Sequence, residues 1–171
     1  PNEKDQFGMT PLHWAVSSSS AETVYVLLEA PGLALDATDG QGRTPLHCAA
    51  MGGDAAIVTA LLKKGANPEL RDNEERRPLH KAARAGHDET VKTLLGYGAD
   101  PHPFDKNEKT PLYWAAFWGH EGACKVLIDA RVNPSMKNEF GNTALHIAAD
   151  CGHVKADQAL EADVAAYINI C

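Results

Sequence analysis

Thr44-Pro45-Leu46-His47-Cys48-Ala49-Ala50 decides the fold, because the same text returns at a fixed interval. It stands upstream as Thr10-Pro11-Leu12-His13. Downstream it returns as Arg77-Pro78-Leu79-His80, Thr110-Pro111-Leu112-Tyr113 and Thr143-Ala144-Leu145-His146. The successive spacings are 34, 33, 33 and 33 residues, with the extra residue in the loop at 29–37. A period of this length marks a stack of small supersecondary units.

Local chemistry gives each copy its shape. A threonine before a proline reads as a helix N-cap followed by a residue whose missing N–H costs nothing in the first turn. The pairs Ala49-Ala50, Ala82-Ala83, Ala115-Ala116 and Ala148-Ala149 are small enough for two short helices to approach closely. Gly86, Gly119 and Gly152, each followed by histidine, suit a helix end with left-handed backbone. A second helix follows, with apolar residues at helical spacing such as Val91, Leu94 and Leu95. Gly65-Ala66 and Gly98-Ala99 close two of the copies. One such unit cannot bury its apolar face alone, whereas a stack forms a continuous core.

This pattern resembles the ankyrin repeat, and the resemblance covers about residues 1–160. It implies an all-α solenoid of stacked helix-turn-helix units joined by β-hairpin loops. The whole chain, 1–171, is expected to form one ankyrin-repeat domain, with repeats at about 5–38, 39–71, 72–104, 105–137 and 138–171. Pro1 lies nine residues before Thr10, as Pro68, Pro101 and Pro134 lie before their motif residues, so the sequence starts inside the register of a preceding repeat. A fragment of a longer protein is expected. At the other end, Gln158-Ala159-Leu160-Glu161 replaces the expected Leu-Leu. Leu160, Val164, Tyr167 and Ile168 form one apolar stripe of a degenerate cap; the alternative is that sequence is missing there.

Composition narrows the function. The 171 residues are 44 % apolar, too many for a disordered chain. The formal charge of −7 disfavours non-specific binding to nucleic acid or an anionic membrane surface. No apolar run has the roughly 18 residues of a membrane span. Cys48, Cys124, Cys151 and Cys171 form no CxxC pair, which points to free thiols and an intracellular setting, cytoplasmic or nuclear.

The eight histidines raise the question of catalysis or metal binding. In the resembled family the motif histidines, here His13, His47, His80 and His146, bridge the motif threonine and the adjoining loop. His87, His120 and His153 belong to the Gly-His step. Cys151 and His153 are close in sequence but lack the paired ligands of a zinc site. There is no Gly-x-Ser-x-Gly elbow and no Walker-type loop. Neither enzyme activity, cofactor nor metal is expected.

The resemblance places partner binding in a groove lined by the loop tips and the exposed side of each first helix. Those positions carry Arg43, Arg76, Arg84, Lys106 and Lys109 against Glu74, Glu139 and Asp150, so the surface is net basic on an acidic molecule. The residue after the motif histidine adds Lys81 and Trp114. The candidate binding residues are Arg43, Arg76, Lys81, Arg84, Lys109, Trp114, Phe117, Trp118 and Phe140. Exposed aromatic and arginine side chains dominate interface energies, and basic neighbours favour an acidic-hydrophobic segment of another protein or peptide. Trp114 and Trp118 can alternatively pack on neighbouring helices. Glu75 and Glu108 replace the turn glycines Gly8, Gly42 and Gly141, so those tips either use another turn or carry strain. The expected function is a non-catalytic, monomeric protein-interaction module. The alternative is a regulatory or substrate-recruiting domain of a larger enzyme, channel or ligase.

Overall fold

The structure, a computed structural model, describes residues 1–153, 155, 156, 158, 160 and 161. Helices run in pairs: α1 (Pro11–Ser17) with α2 (Ala21–Leu28), α3 (Pro45–Gly52) with α4 (Ala55–Lys63), α5 (Pro78–Ala85) with α6 (Asp88–Gly96), and α7 (Pro111–Phe117) with α8 (Glu121–Asp129). Helix α9 (Ala144–Asp150) opens a fifth unit. The odd-numbered helices pack side by side in one layer and α2, α4, α6 and α8 in a second, each pair also packing across the layers. Leu12, Leu46, Leu79 and Leu112 are buried between successive odd helices, and Val24, Ile57, Leu61, Leu94 and Leu127 fill the space between layers. Ala156 and Leu160 are also buried. Val164, Tyr167 and Ile168 of the expected C-terminal stripe lie outside the described residues.

The motif closes hydrogen bonds in both directions along the stack. The Thr44 hydroxyl lies 2.9 Å from His47 Nδ1, and the Thr44 N–H donates to the same nitrogen at 3.1 Å. His47 Nε2 donates to the Arg76 carbonyl of the next unit at 2.9 Å. His13 bridges Thr10 and the Arg43 carbonyl in the same way, and His80 reaches the Lys109 carbonyl at 3.1 Å. A carbonyl at Nε2 and N–H donors at Nδ1 demand the neutral Nε2–H tautomer. His87, His120 and His153 point the other way, donating from Nε2 to the carbonyls of Met51, Arg84 and Phe117 in the preceding unit. These rings explain the glycines ahead of them. A Cβ on Gly53 or Gly86 would sit 2.5 Å from the His87 or His120 ring, and both glycines have positive φ, 79° and 74°.

Each loop doubles back as a short turn. The Asp39 N–H donates to the Arg43 carbonyl at 2.9 Å and the Gly42 N–H to the Asp39 carbonyl at 3.0 Å; Asp5, Asp72, Asp105 and Asn138 repeat the arrangement. None of the described residues lies in a β-strand. Neighbouring tips are tied by Gly40 N–H to the Phe7 carbonyl, Asn73 N–H to Gln41 and Lys106 N–H to Glu74. Glu75 and Glu108 keep the glycine turn, with φ of 57° and 55°, rather than adopting another one. That left-handed conformation costs about 1 kcal/mol each. Arg77, in place of the capping threonine, pairs instead with Glu69 and Asp100 in flanking loops.

The junction between units four and five is different. Tyr113 replaces the bridging histidine, and among the described residues no backbone bond joins the tip at Asn138–Asn142 to the tip before it.

Burial holds the imidazoles neutral, pushing His47 and His80 down to about 4 from an ordinary 6.5. The unfolded chain takes up these protons as pH falls through 6.5, whereas the native rings do not until about 4. Stability therefore falls across that window, by roughly 3 kcal/mol per ring. The urea midpoint should drop steeply between pH 6.5 and 4.5; a midpoint flat over that range would contradict neutral buried rings.

Candidate functional site

The tips are built on an Asp or Asn five positions before each motif: Asp5, Asp39, Asp72, Asp105 and Asn138. One side-chain oxygen accepts two backbone N–H bonds across the turn. Asp72 Oδ1, for example, takes Glu74 N–H and Arg76 N–H at 2.9 Å each, and Asn138 takes Phe140 and Asn142 N–H at 3.0 Å each. The second oxygen faces the residue nine positions on. Asp5 accepts from Trp14 Nε1 at 2.9 Å, Asp72 from Lys81 Nζ at 2.5 Å and Asp105 from Trp114 Nε1 at 3.0 Å. In unit two the ninth residue is Cys48, and Arg43 takes over, with Nε and Nη2 at 2.8 and 2.7 Å from Asp39 Oδ2. In unit five the ninth residue is Ile147, which can donate nothing, and the acid is replaced by the neutral Asn138.

This ladder redistributes the charge expected of the groove. Arg43 and Arg76 are committed to Asp39 and Asp72. Lys81 is only 6 % exposed and is locked on Asp72, so it forms part of the floor of the surface. Burial lowers its pKa and would by itself raise that of Asp72, but hydrogen bonds from Lys81 and the Arg76 amide hold the carboxyl below its ordinary value. Lys106 pairs with Glu74. Among the described residues, Arg84 and Lys109 are the candidate cations without an acidic partner.

Those two cations lie against the aromatic residues. The Arg84 guanidinium carbon is 5.3 Å from the Trp114 ring centre and 5.9 Å from that of Trp118. Lys109 Nζ is 5.2 Å from both Tyr113 and Trp114. Phe117 packs edge-on to Trp114 and Trp118, at 6.0 and 5.4 Å between centroids. Trp114 is half-buried, whereas Phe117 and Trp118 are exposed, Trp118 to 48 %. A depression of about 360 Å³ opens beside them, lined by Met51, Lys81, Arg84, Ala85, Trp118 and His120. Phe140 is 74 % exposed and stands apart from this aromatic cluster.

A hollow of about 600 Å³ also lies between the first two tips, lined by Phe7, Met9, Gln41 and Arg43 among others. Its arginine is already paired. Among the described residues no group of three His, Cys, Asp or Glu could hold a metal, and no helix is long and apolar enough to cross a membrane. Cys48 and Cys124 are buried free thiols, and burial pushes Cys124 up to about 12. Cys151 is free and exposed.

The paired layers, the Thr-Pro-Leu-His bridges and the tips together define a repeat solenoid. The family model for ankyrin repeats (3 copies) matches residues 1–72, 31–105, 54–138 and 79–169. The chain belongs to the ankyrin repeat family, whose members are generally protein-interaction modules and typically non-catalytic. It is similar to the RelA-associated inhibitor of Mus musculus, 41 % identical over 66 residues, covering 39 % of this chain and 8 % of that protein. It is similar to the palmitoyltransferase Hip14 of Drosophila melanogaster, 36 % identical over 72 residues, covering 42 % and 11 %. A third relative is the probable 26S proteasome regulatory subunit p28 of Saccharomyces cerevisiae, 37 % identical over 70 residues, covering 40 % and 31 %. The matched stretch is thus less than a third of each relative's length.

The ladder makes a stability prediction. Asp72→Asn keeps the turn acceptor but strands the buried Lys81 charge, and should cost roughly 3 kcal/mol. Adding Lys81→Ile reproduces the Asn138/Ile147 combination of unit five and should recover most of the loss. A urea-denaturation double-mutant cycle measures this; strictly additive losses would show that the pair is not coupled.

Proposed function

We propose that this chain is a non-catalytic recognition domain that takes an acidic-hydrophobic segment of a partner protein along the tips and odd helices of units three and four. The observation that carries this reading is the row of exposed Arg84, Trp118 and Phe117, flanked by half-buried Lys109 and with Trp114 behind it. Exposed aromatic anchors supply area at low entropic cost, and the two unpaired cations steer an acidic ligand on a molecule that otherwise repels one. Phe140 is an outlying contact. Arg43, Arg76 and Lys81 serve this reading by holding the tips in place. The five repeats at 5–38, 39–71, 72–104, 105–137 and 138–171 act as one domain. It works as a monomer inside the cell and does not bind nucleic acid.

A second reading is a substrate-recruiting domain within a larger enzyme. It is favoured by the similarity to a palmitoyltransferase of which the match is 11 %. The same surface would serve it.

Selection of peptides from a random display library on the purified chain tests the proposal. Enriched sequences should combine Asp or Glu with Leu or Phe, and Trp118→Ala should weaken them at least about tenfold with the circular-dichroism spectrum intact. Enrichment of basic peptides, or affinities indifferent to Trp118→Ala, would overturn it.

A further inference from the structure

The Arg84 side chain lies between two tryptophan rings of the next unit. Arg84 lies in the last turn of α5, exposed, and its side chain rests on unit four. Its carbonyl accepts a hydrogen bond from His120 Nε2 at 3.1 Å. Its guanidinium lies over both Trp114 and Trp118. Trp114 is itself fixed by its Nε1 bond to Asp105. The chain has 23 acidic residues, and Arg43, Arg71, Arg76 and Arg77 each pair with at least one, yet among the described residues none pairs with Arg84. The side chain is ordered by indole faces while its N–H donors stay open.

We propose that Arg84 is a carboxylate receptor: it binds the side chain of a partner's Glu or Asp, while an aliphatic neighbour of that residue fills the depression between Met51 and Trp118. The inference rests on the groove reading and names its chemical specificity. Planar guanidinium and carboxylate match in a two-point, charge-assisted hydrogen bond. Pre-ordering by the tryptophans reduces the entropy lost on binding. The apolar half of the site is Met51, Ala85 and the Trp118 ring, in the depression of about 360 Å³. A cationic ligand is disfavoured because the aromatic faces already carry cations, Arg84 on Trp114 and Trp118 and Lys109 on Tyr113 and Trp114.

The test is an NMR titration with two capped peptides, Gly-Ser-Leu-Glu-Leu-Ser-Gly and its Gln counterpart. The Glu peptide should shift the Arg84 side-chain N–H and the Trp118 indole N–H, and bind at least about fivefold tighter than the Gln peptide. Arg84→Gln should erase the preference. Arg84→Lys, which keeps the charge but not the fork, should reduce it. Equal binding of the two peptides, shifts confined to other surfaces, or no binding to the wild type would each overturn the inference. Tighter binding of a trimethyl-lysine peptide at the same resonances would overturn it too. Display-selected peptides that need Trp118 but show no Glu or Asp dependence on Arg84 would leave the groove reading standing and remove this one.

Discussion

A buried, neutral imidazole between one unit's threonine and the next unit's backbone carbonyl is the interaction on which the stack depends. His13, His47 and His80 each satisfy two N–H groups of the structure: their own, at Nε2, and that of the capping residue. Protonation would put a donor against a donor at Nδ1 and a charge in a fully buried position. The second ladder, from His87, His120 and His153, ties units three, four and five back to the unit before. Because every unit contacts only its neighbours, stability is a sum of such junctions. The junction at Tyr113 lacks the bridging histidine, and there the His153 bond to the Phe117 carbonyl joins units four and five.

The same economy shapes the surface proposed for a partner. A carboxylate that holds two backbone amides must find a counter-charge or a donor for its second oxygen. In units one, three and four the ninth residue supplies it; in unit two Arg43 does. Arg43, Arg76 and Lys81 are consumed by this requirement, and Lys106 pairs with Glu74. Among the described candidate cations Arg84 and Lys109 remain without an acidic partner, and both are parked on tryptophan or tyrosine faces. The surface proposed for a partner thus carries fewer free cations than a net positive groove.

Much of this was legible in the sequence. The interval between Thr10 and Thr44 gave the unit, Thr-Pro gave the helix starts, and Gly86-His87 gave the helix end. The reason for Gly86 was only half visible, since the ring that crowds it comes from His120, one unit away. The aspartate ladder was in phase with the motif at Asp39, Asp72 and Asp105, but its importance lies in side-chain oxygens that no spacing reveals. For that reason Lys81 read as a free groove cation when it is a buried counter-ion. Glu75 and Glu108 left two turn geometries open, and the positive φ at both decides between them. The clamp on Arg84 joins residues of two units and could not be read from either alone.

The most direct test of the account is the protonation and tautomer of the motif histidines, read from long-range ¹H–¹⁵N correlations of the ring nitrogens at pH 7. The account predicts neutral Nε2–H rings for His13, His47 and His80, with Nε2 protons protected from exchange. Imidazolium or Nδ1–H rings at these positions would contradict it.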